Sequence, residues 1–307
     1  MDLEPASTAR RPRWLILVVA VVLVGVALAG AEFAGSLGDA DVGSPGVGTW
    51  LATGALVTLG QSVLSASWPR LVGRPDDWRA LTQIFHVTQP AKYVPAGVAQ
   101  ILGLVALTTD RGVPTARATA GWVAHALSLV APGIAIGSGI ALVTNGWWRL
   151  LGLGLLAPVV LDRRLLAVAI DKGRGLIKRL PDASTLPTRR SLIEAGLAGA
   201  IFMLTHGAGY AVLADALGAE VSPIRSVCAY ALAVSVSIVT PMPGGLGVRE
   251  AVLVASAGAP PEVTLAAALL LRVALITMEL AIIPLWALAV RLNSHPRRGH
   301  SGGAGTR

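Results

Sequence analysis

Eight apolar stretches, parted by short polar or charged segments, run along this chain of 307 residues. Spanning a bilayer as a helix takes roughly 20 predominantly apolar residues. Six stretches meet that length or come near it, at about 14–31, 50–67, 119–142, 146–161, 192–214 and 262–290. The other two, near 81–108 and 223–258, are interrupted by Pro and Gly. The second of these carries Thr240-Pro241-Met242-Pro243-Gly244-Gly245-Leu246-Gly247-Val248-Arg249-Glu250, a helix-breaking run followed by a charged pair. Lipid offers no water to a freed backbone N–H or C=O, so irregular backbone at membrane depth survives only when buried in protein or lining a cavity. The pattern predicts an all-α polytopic membrane bundle of six to eight transmembrane helices, with a translocation or polar-ligand site at the breaks.

Composition fits this reading: 54% of residues are hydrophobic and 14% charged, against about 25% charged in soluble domains. The mean hydropathy is +0.67. Charge then orients the spans. The net charge of +8 sits in loops and tails flanking apolar segments, as the positive-inside rule requires, so anionic lipid is the expected partner and nucleic acid is not. The tail 1–13 carries Arg10, Arg11 and Arg13, and the 162–190 insert carries Arg163, Arg164, Lys172, Arg174, Lys178, Arg179, Arg189 and Arg190. Both are expected on the cytoplasmic face of a plasma membrane. The same side takes the tail 292–307, expected to be disordered, while the 31–49 loop, with Glu32, Asp39 and Asp41, falls outside. The stretch from Trp14 is read as a retained first helix and not a cleaved signal.

With six crossings, both termini lie inside only if 81–108 enters and leaves from the cytoplasm and 223–258 enters and leaves from outside. That gives two re-entrant hairpins of opposite orientation; two pairs of short, kinked crossings satisfy the same parity. Paired interruptions point to an inverted repeat with a site at its interface. A faint echo of Pro95-Ala96-Gly97-Val98 in the run from Pro243 to Val248 agrees. In the insert, Leu166, Ala169, Ile170, Gly173, Ile177 and Leu180 recur at helical spacing, which suits either a helix lying on the inner leaflet or a solvated basic loop.

Candidate chemistry gathers at the breaks and in the last span. Pro243 lacks an N–H, and Gly244, Gly245 and Gly247 let a ligand approach the backbone. A half-helix beginning there would offer N–H groups to a phosphate or carboxylate. Arg249 adds a positive charge, and Glu250 either complements the dipole or takes a cationic head group. In the first hairpin, Lys92, Tyr93 and Gln100 surround the break at Pro95 and Gly97, and together could hold a phosphodiester; an interfacial anchor made by Lys92 and Tyr93 is the alternative. Arg272 and Glu279, seven residues apart in the last span, should share one face and look inward. Arg272 is expected to pair with Glu250 or face an anion, and Glu279 to pair with Arg272 or relay protons. His125 and His206 are expected to bond between helices, and Glu194 to complement a helix N-terminus.

The lone Cys228 permits neither an intrachain disulfide nor a cysteine-rich metal site. Zinc-protease, phosphate-loop and nucleophile-elbow motifs are absent from the sequence, so no enzyme activity, metal or cofactor is expected.

The two blocks resemble the flippase-like membrane domain of lysylphosphatidylglycerol synthases and its stand-alone members. The first, Lys92-Tyr93-Val94-Pro95-Ala96-Gly97-Val98-Ala99-Gln100, is similar to the family's K-Y-[LIV]-P-G-G-x-x-Q pattern, with Ala96 in place of one glycine. Pro241 to Glu250 is similar to P-x-P-G-G-x-G-x-x-E, and Leu269-Leu270-Leu271-Arg272 to the arginine-bearing helix that follows. The resemblance covers about 14–291. It implies translocation, unpowered or ion-coupled, of an anionic or aminoacylated phospholipid or a polyprenyl-phosphate-linked sugar between leaflets. The few residues after Arg291 do not hold the aminoacyl-transferase domain of the fused enzymes, so lysylphosphatidylglycerol synthesis is not expected. A scaffold binding lipid or a partner glycosyltransferase, and a carrier of a small soluble anion, are the competing readings.

Overall fold

The computed structural model describes residues 44–93, 99–143, 154, 156–159, 161–174, 183–240, 245 and 247–293. All regular structure among them is helical. The span expected at 14–31 and most of that at 146–161 lie outside the described residues.

Among the described residues, four helices are long and apolar enough to cross a membrane: Val47–Leu71, Thr115–Gly137, Arg189–Ala216 and Pro261–Pro284. The first comprises α1, Val47–Ser65, and a short α2, Trp68–Leu71. Next come α3, Trp78–Thr88, a 3-10 turn at Gln89–Tyr93, and α4, Ala99–Thr109. α5 is Thr115–Gly137 and α6 the short Ile140–Val143. A basic helix α7, Arg163–Arg174, precedes α8, Arg189–Ala216. The second broken segment forms α9, Pro223–Val239, and α10, Val248–Ser256, before α11, Pro261–Asn293.

Glycines set the helix directions, because apolar side chains gain nothing over lipid and bundles in membranes associate through close backbone approach. Gly60 of α1 lies against Thr205 and His206 of α8, and Gly209 of α8 against Thr53 and Val57 of α1. One numbering rises as the other falls, so α1 and α8 are antiparallel. Gly199 meets Ser128, and Gly133 meets Met203, so α5 and α8 run parallel. Ile193, Leu197, Ile201 and Leu204 form an outward apolar stripe on α8, opposite the buried Leu192, Ala195, Met203 and Tyr210. A helix apolar all round fits a bilayer, with lipid on one side and protein on the other.

The order span, broken hairpin, span occurs twice: α1, α3–α4, α5 and then α8, α9–α10, α11. Packing repeats with it. α5 packs on α8 as α11 packs on α1, α9 on α5 as α3 on α11, and α10 on α11 as α4 on α5. With α1 and α8 antiparallel, these units form the inverted repeat that the paired interruptions predict. The symmetry is broken by α11, which also packs on α8.

Each hairpin returns to the end where it began. Arg225, near the start of α9, donates from Nε to the carbonyl of Ser256, the last residue of α10, at 3.2 Å. The return limbs α4 and α10 have 11 and 9 residues, about 16 and 14 Å at 1.5 Å per residue. That is about half of a hydrocarbon core of about 30 Å, so neither return limb is long enough to cross by itself. At the bundle end shared by α2 and the start of α8, Arg70 pairs with Glu194 at 3.1 Å. Arg163, at the start of α7, donates to the carbonyl of Pro187 at 3.3 Å, which gathers basic residues at one end of the molecule. Glu194 is the sixth residue of α8 and also binds Arg190 at 2.8 Å. It is therefore an ion-pair partner, correcting its expected role at the helix N-terminus.

Candidate functional site

Arg272 and Glu279 are two turns apart on α11, so a helix of 3.6 residues per turn puts them on one face, about 10 Å apart along the axis. Both are buried, at 7% and 3% exposure. Each is met by the broken end of a different hairpin. Arg272 donates from Nη2 to Oε1 of Glu250 at 2.6 Å, while Glu279 accepts from Nζ of Lys92. The expected Arg272–Glu250 pair is present. Glu279, however, pairs with Lys92 and not with Arg272: the first hairpin reaches far enough in to deliver a cation one face-repeat further along α11.

The second break is built by its glycines. Gly245 and Gly247 have φ of 68° and 78°, a region that costs other L-residues about 1–2 kcal/mol. From there α10 begins, and Glu250 turns Oε2 back to accept the Gly247 N–H at 2.9 Å. A carboxylate at this position satisfies one of the helix's orphan donors. With one oxygen on Gly247 and the other on Arg272, Glu250 takes the first of its two expected roles, at the helix N-terminus, and both its oxygens are engaged.

A cavity of about 390 Å³ lies where the two breaks meet, lined in part by Lys92, Arg249 and Arg272. Its size falls within the roughly 300–1,000 Å³ of small-molecule sites. No carboxylate is among the described residues that line it. Glu250 and Glu279 stand behind the cations they hold. Of the five charges that the described residues bring here, three positive and two negative, one positive charge is left uncovered among them. Charges at membrane depth cost about 2.5–3.5 kcal/mol each on insertion scales, so an uncovered one needs an account. Arg249 carries it: its guanidinium stands 5.9 Å from the Tyr230 ring centroid, and its Nε has no hydrogen-bond partner among the described residues. Nη1 of Arg272 is likewise unpartnered there. Lys92 lies 5.1 Å over the Tyr93 ring and 3.4 Å from Oε1 of Gln89.

Among the residues predicted from sequence, Lys92, Tyr93, Gln100, Gly245, Arg249 and Arg272 all line this cavity. Glu250 and Glu279 support it from behind, and Gly247 holds the turn. Pro95, Gly97, Pro243 and Gly244 lie outside the described residues. His125 lines the cavity with its ring edge-on to Phe85, centroids 5.1 Å apart. The Nδ1 of His206 stays within its own helix, 2.9 Å from the Phe202 carbonyl. Among the described residues neither makes the expected bond between helices, because the neighbours there present rings or small side chains. Gln61, Gln89, Trp122 and Tyr230 also line the cavity and were missed. Gln61 left a usable signal, as the one amide in the apolar span 50–67.

Inverted broken hairpins closing on a cavity lined by Lys92, Arg249 and Arg272 define this chain as a polytopic helical membrane protein. The family model of the lysylphosphatidylglycerol synthase TM region matches residues 13–282, and the chain belongs to that family. No curated protein matches the sequence.

Proposed function

We propose that this protein moves the head group of an anionic lipid between the leaflets of a bacterial-type plasma membrane. The observation that carries the reading is the wall of three cations facing a cavity at membrane depth, with both carboxylates withdrawn behind them. Such a wall would hold a phosphate through charge-assisted hydrogen bonds, and a guanidinium can engage two phosphate oxygens at once. Arg249 Nε and Arg272 Nη1 would supply donors that nothing else uses among the described residues. The inverted repeat supports alternating access, in which one unit rocks against the other about the site. Motion of the first hairpin against α11 would open the Lys92–Glu279 pair, and motion of the second the Glu250–Arg272 pair. The basic end of the bundle would face the cytoplasm with both termini, by the positive-inside rule. The protein would act without a cofactor and with no chemistry on its lipid; a lipid-modifying enzyme or glycosyltransferase is the expected partner.

Leaflet exchange of labelled lipids in vesicles reconstituted with the purified chain tests this. Arg249→Gln is the cleanest probe, because Arg249 holds no carboxylate among the described residues and its loss strands none. Exchange is expected to fall at least about tenfold, equivalent to ~1.4 kcal/mol, with the unfolding temperature preserved. Wild-type exchange by the Arg249→Gln protein, or exchange by native vesicles no faster than by empty ones, would overturn the proposal.

A further inference from the structure

The cavity wall has two chemically different parts. Lys92, Arg249 and Arg272 occupy one, brought by the hairpin breaks and α11. The other, supplied by α1, α3 and α5, is neutral: Gln61, His125, Trp122 and Phe85. Gln61 is 4% exposed and its amide Nε2 has no partner among the described residues; His125 is 7% exposed, and its Nδ1 has none either. Two buried, unpartnered polar groups beside aromatic faces suit a ligand with hydroxyl groups and C–H surface, since each unmet donor or acceptor in a dry site calls for a partner. A second, cationic ligand group would meet no carboxylate among the described residues that line the cavity. Glu250 has both oxygens engaged. The unpartnered Oε2 of Glu279 is enclosed behind Lys92, and that residue does not line the cavity.

Resting on the transport reading for its site, we infer that the head group is a single phosphodiester anion joined to a neutral, hydroxyl-bearing polyol or sugar, and that aminoacylated lipids are rejected. One uncovered positive charge matches one phosphodiester. An added ammonium would be repelled by the cationic wall, and a diphosphate would bring more negative charge than that wall leaves uncovered.

The full chain in detergent, presented with single lipids, gives binding by native mass spectrometry; vesicles give leaflet exchange separately. The probes are phosphatidylglycerol, phosphatidylmethanol with the same charge and no head-group hydroxyl, a polyprenyl phosphoryl hexose, lysylphosphatidylglycerol and a polyprenyl diphosphate. Phosphatidylglycerol and the phosphoryl hexose should bind at least about tenfold more tightly than lysylphosphatidylglycerol or the diphosphate, as short-range charge terms in a low-dielectric site allow. Gln61→Leu, which replaces an amide by an apolar group in an apolar span, should fold and should bring phosphatidylglycerol down to the affinity of phosphatidylmethanol, leaving the latter unchanged. His125→Phe keeps the ring packing and gives a second reading of the same loss. Equal or tighter binding of lysylphosphatidylglycerol, equal losses for both phosphatidyl probes in the two variants, or no binding of any probe overturns the inference. Selective binding without exchange sustains the inference and rejects transport; exchange without selectivity does the reverse.

Discussion

The hairpin at 78–109 brings a cation to α11 and finds a carboxylate there, Lys92 on Glu279, whereas the hairpin at 223–256 brings a carboxylate and finds a cation, Glu250 on Arg272. The two locks also differ in how firmly they are held. Glu250 is bound at both oxygens and lies in the first turn of the helix it caps, and its partner's side chain is 9% exposed. Lys92 reaches across on a flexible stem, and its side chain is 27% exposed. A buried charge that loses its partner costs far more than one that can turn toward water, so neutralising Glu279 beside Lys92 should cost less than neutralising Glu250 beside Arg272, whereas moving Lys92 away would strand Glu279, whose side chain is only 2% exposed.

The comparison breaks most directly on paired substitutions. Glu250→Gln should cost about 3–5 kcal/mol, since it leaves the buried Arg272 guanidinium without its counter-charge. Denaturant or thermal unfolding in a fixed detergent reads that loss. Next in size is Gly245→Ala. An added Cβ would stand 2.5 Å from Cβ of Ser237 at a φ of 68°, so strain and overpacking together should cost about 2–4 kcal/mol. Combining it with Ser237→Gly should recover the overpacking share, a non-additive result that unfolding data on the double-mutant cycle would show. Additive losses would place the damage somewhere other than this contact.

Glu279→Gln should cost less, about 1–3 kcal/mol, because the Lys92 side chain, at 27% exposure, can turn its charge toward polar surroundings while that of Arg272, at 9%, cannot. Equal losses at Glu279 and Glu250 in the same detergent would erase the distinction between the two locks.

How much of this was legible in the sequence follows from the range of the interactions. Helix breaks are local, written in Pro and Gly, and the expected interruptions at 81–108 and 223–258 coincide with α3–α4 and α9–α10. The arginines from which an orientation was expected do gather at one bundle end. The Lys92–Glu279 pair was not legible, since 187 residues separate its members, and only the depth of the first hairpin decides which α11 charge Lys92 meets. Gln61 and Trp122 were hidden for a related reason: a polar or aromatic residue in a span carries no mark of which neighbour it will face. His125 misled because a lone buried imidazole suggests a hydrogen bond, whereas here rings from α2 and α3, Trp68 and Phe85, surround it edge-on.

The smallest effect separates the two glycines of the second break. Gly247 has φ of 78°, as strained for an L-residue as Gly245, but an added Cβ there would meet nothing within 4 Å. Gly247→Ala therefore isolates the cost of a backbone at φ 78° and ψ −45°, about 1–3 kcal/mol for an L-residue, from the steric term that Gly245→Ala adds. The Gly247 N–H remains to bind Glu250, so the cap and the Arg272 pair should survive, and with them the cation wall of the cavity. Unfolding measurements should place the Gly247 variant above the Gly245 variant, with lipid exchange preserved in the first. If Gly247→Ala lost as much stability as Gly245→Ala, backbone strain alone would govern the turn, and the contact with Ser237 would have no part in fixing the second hairpin against the cavity.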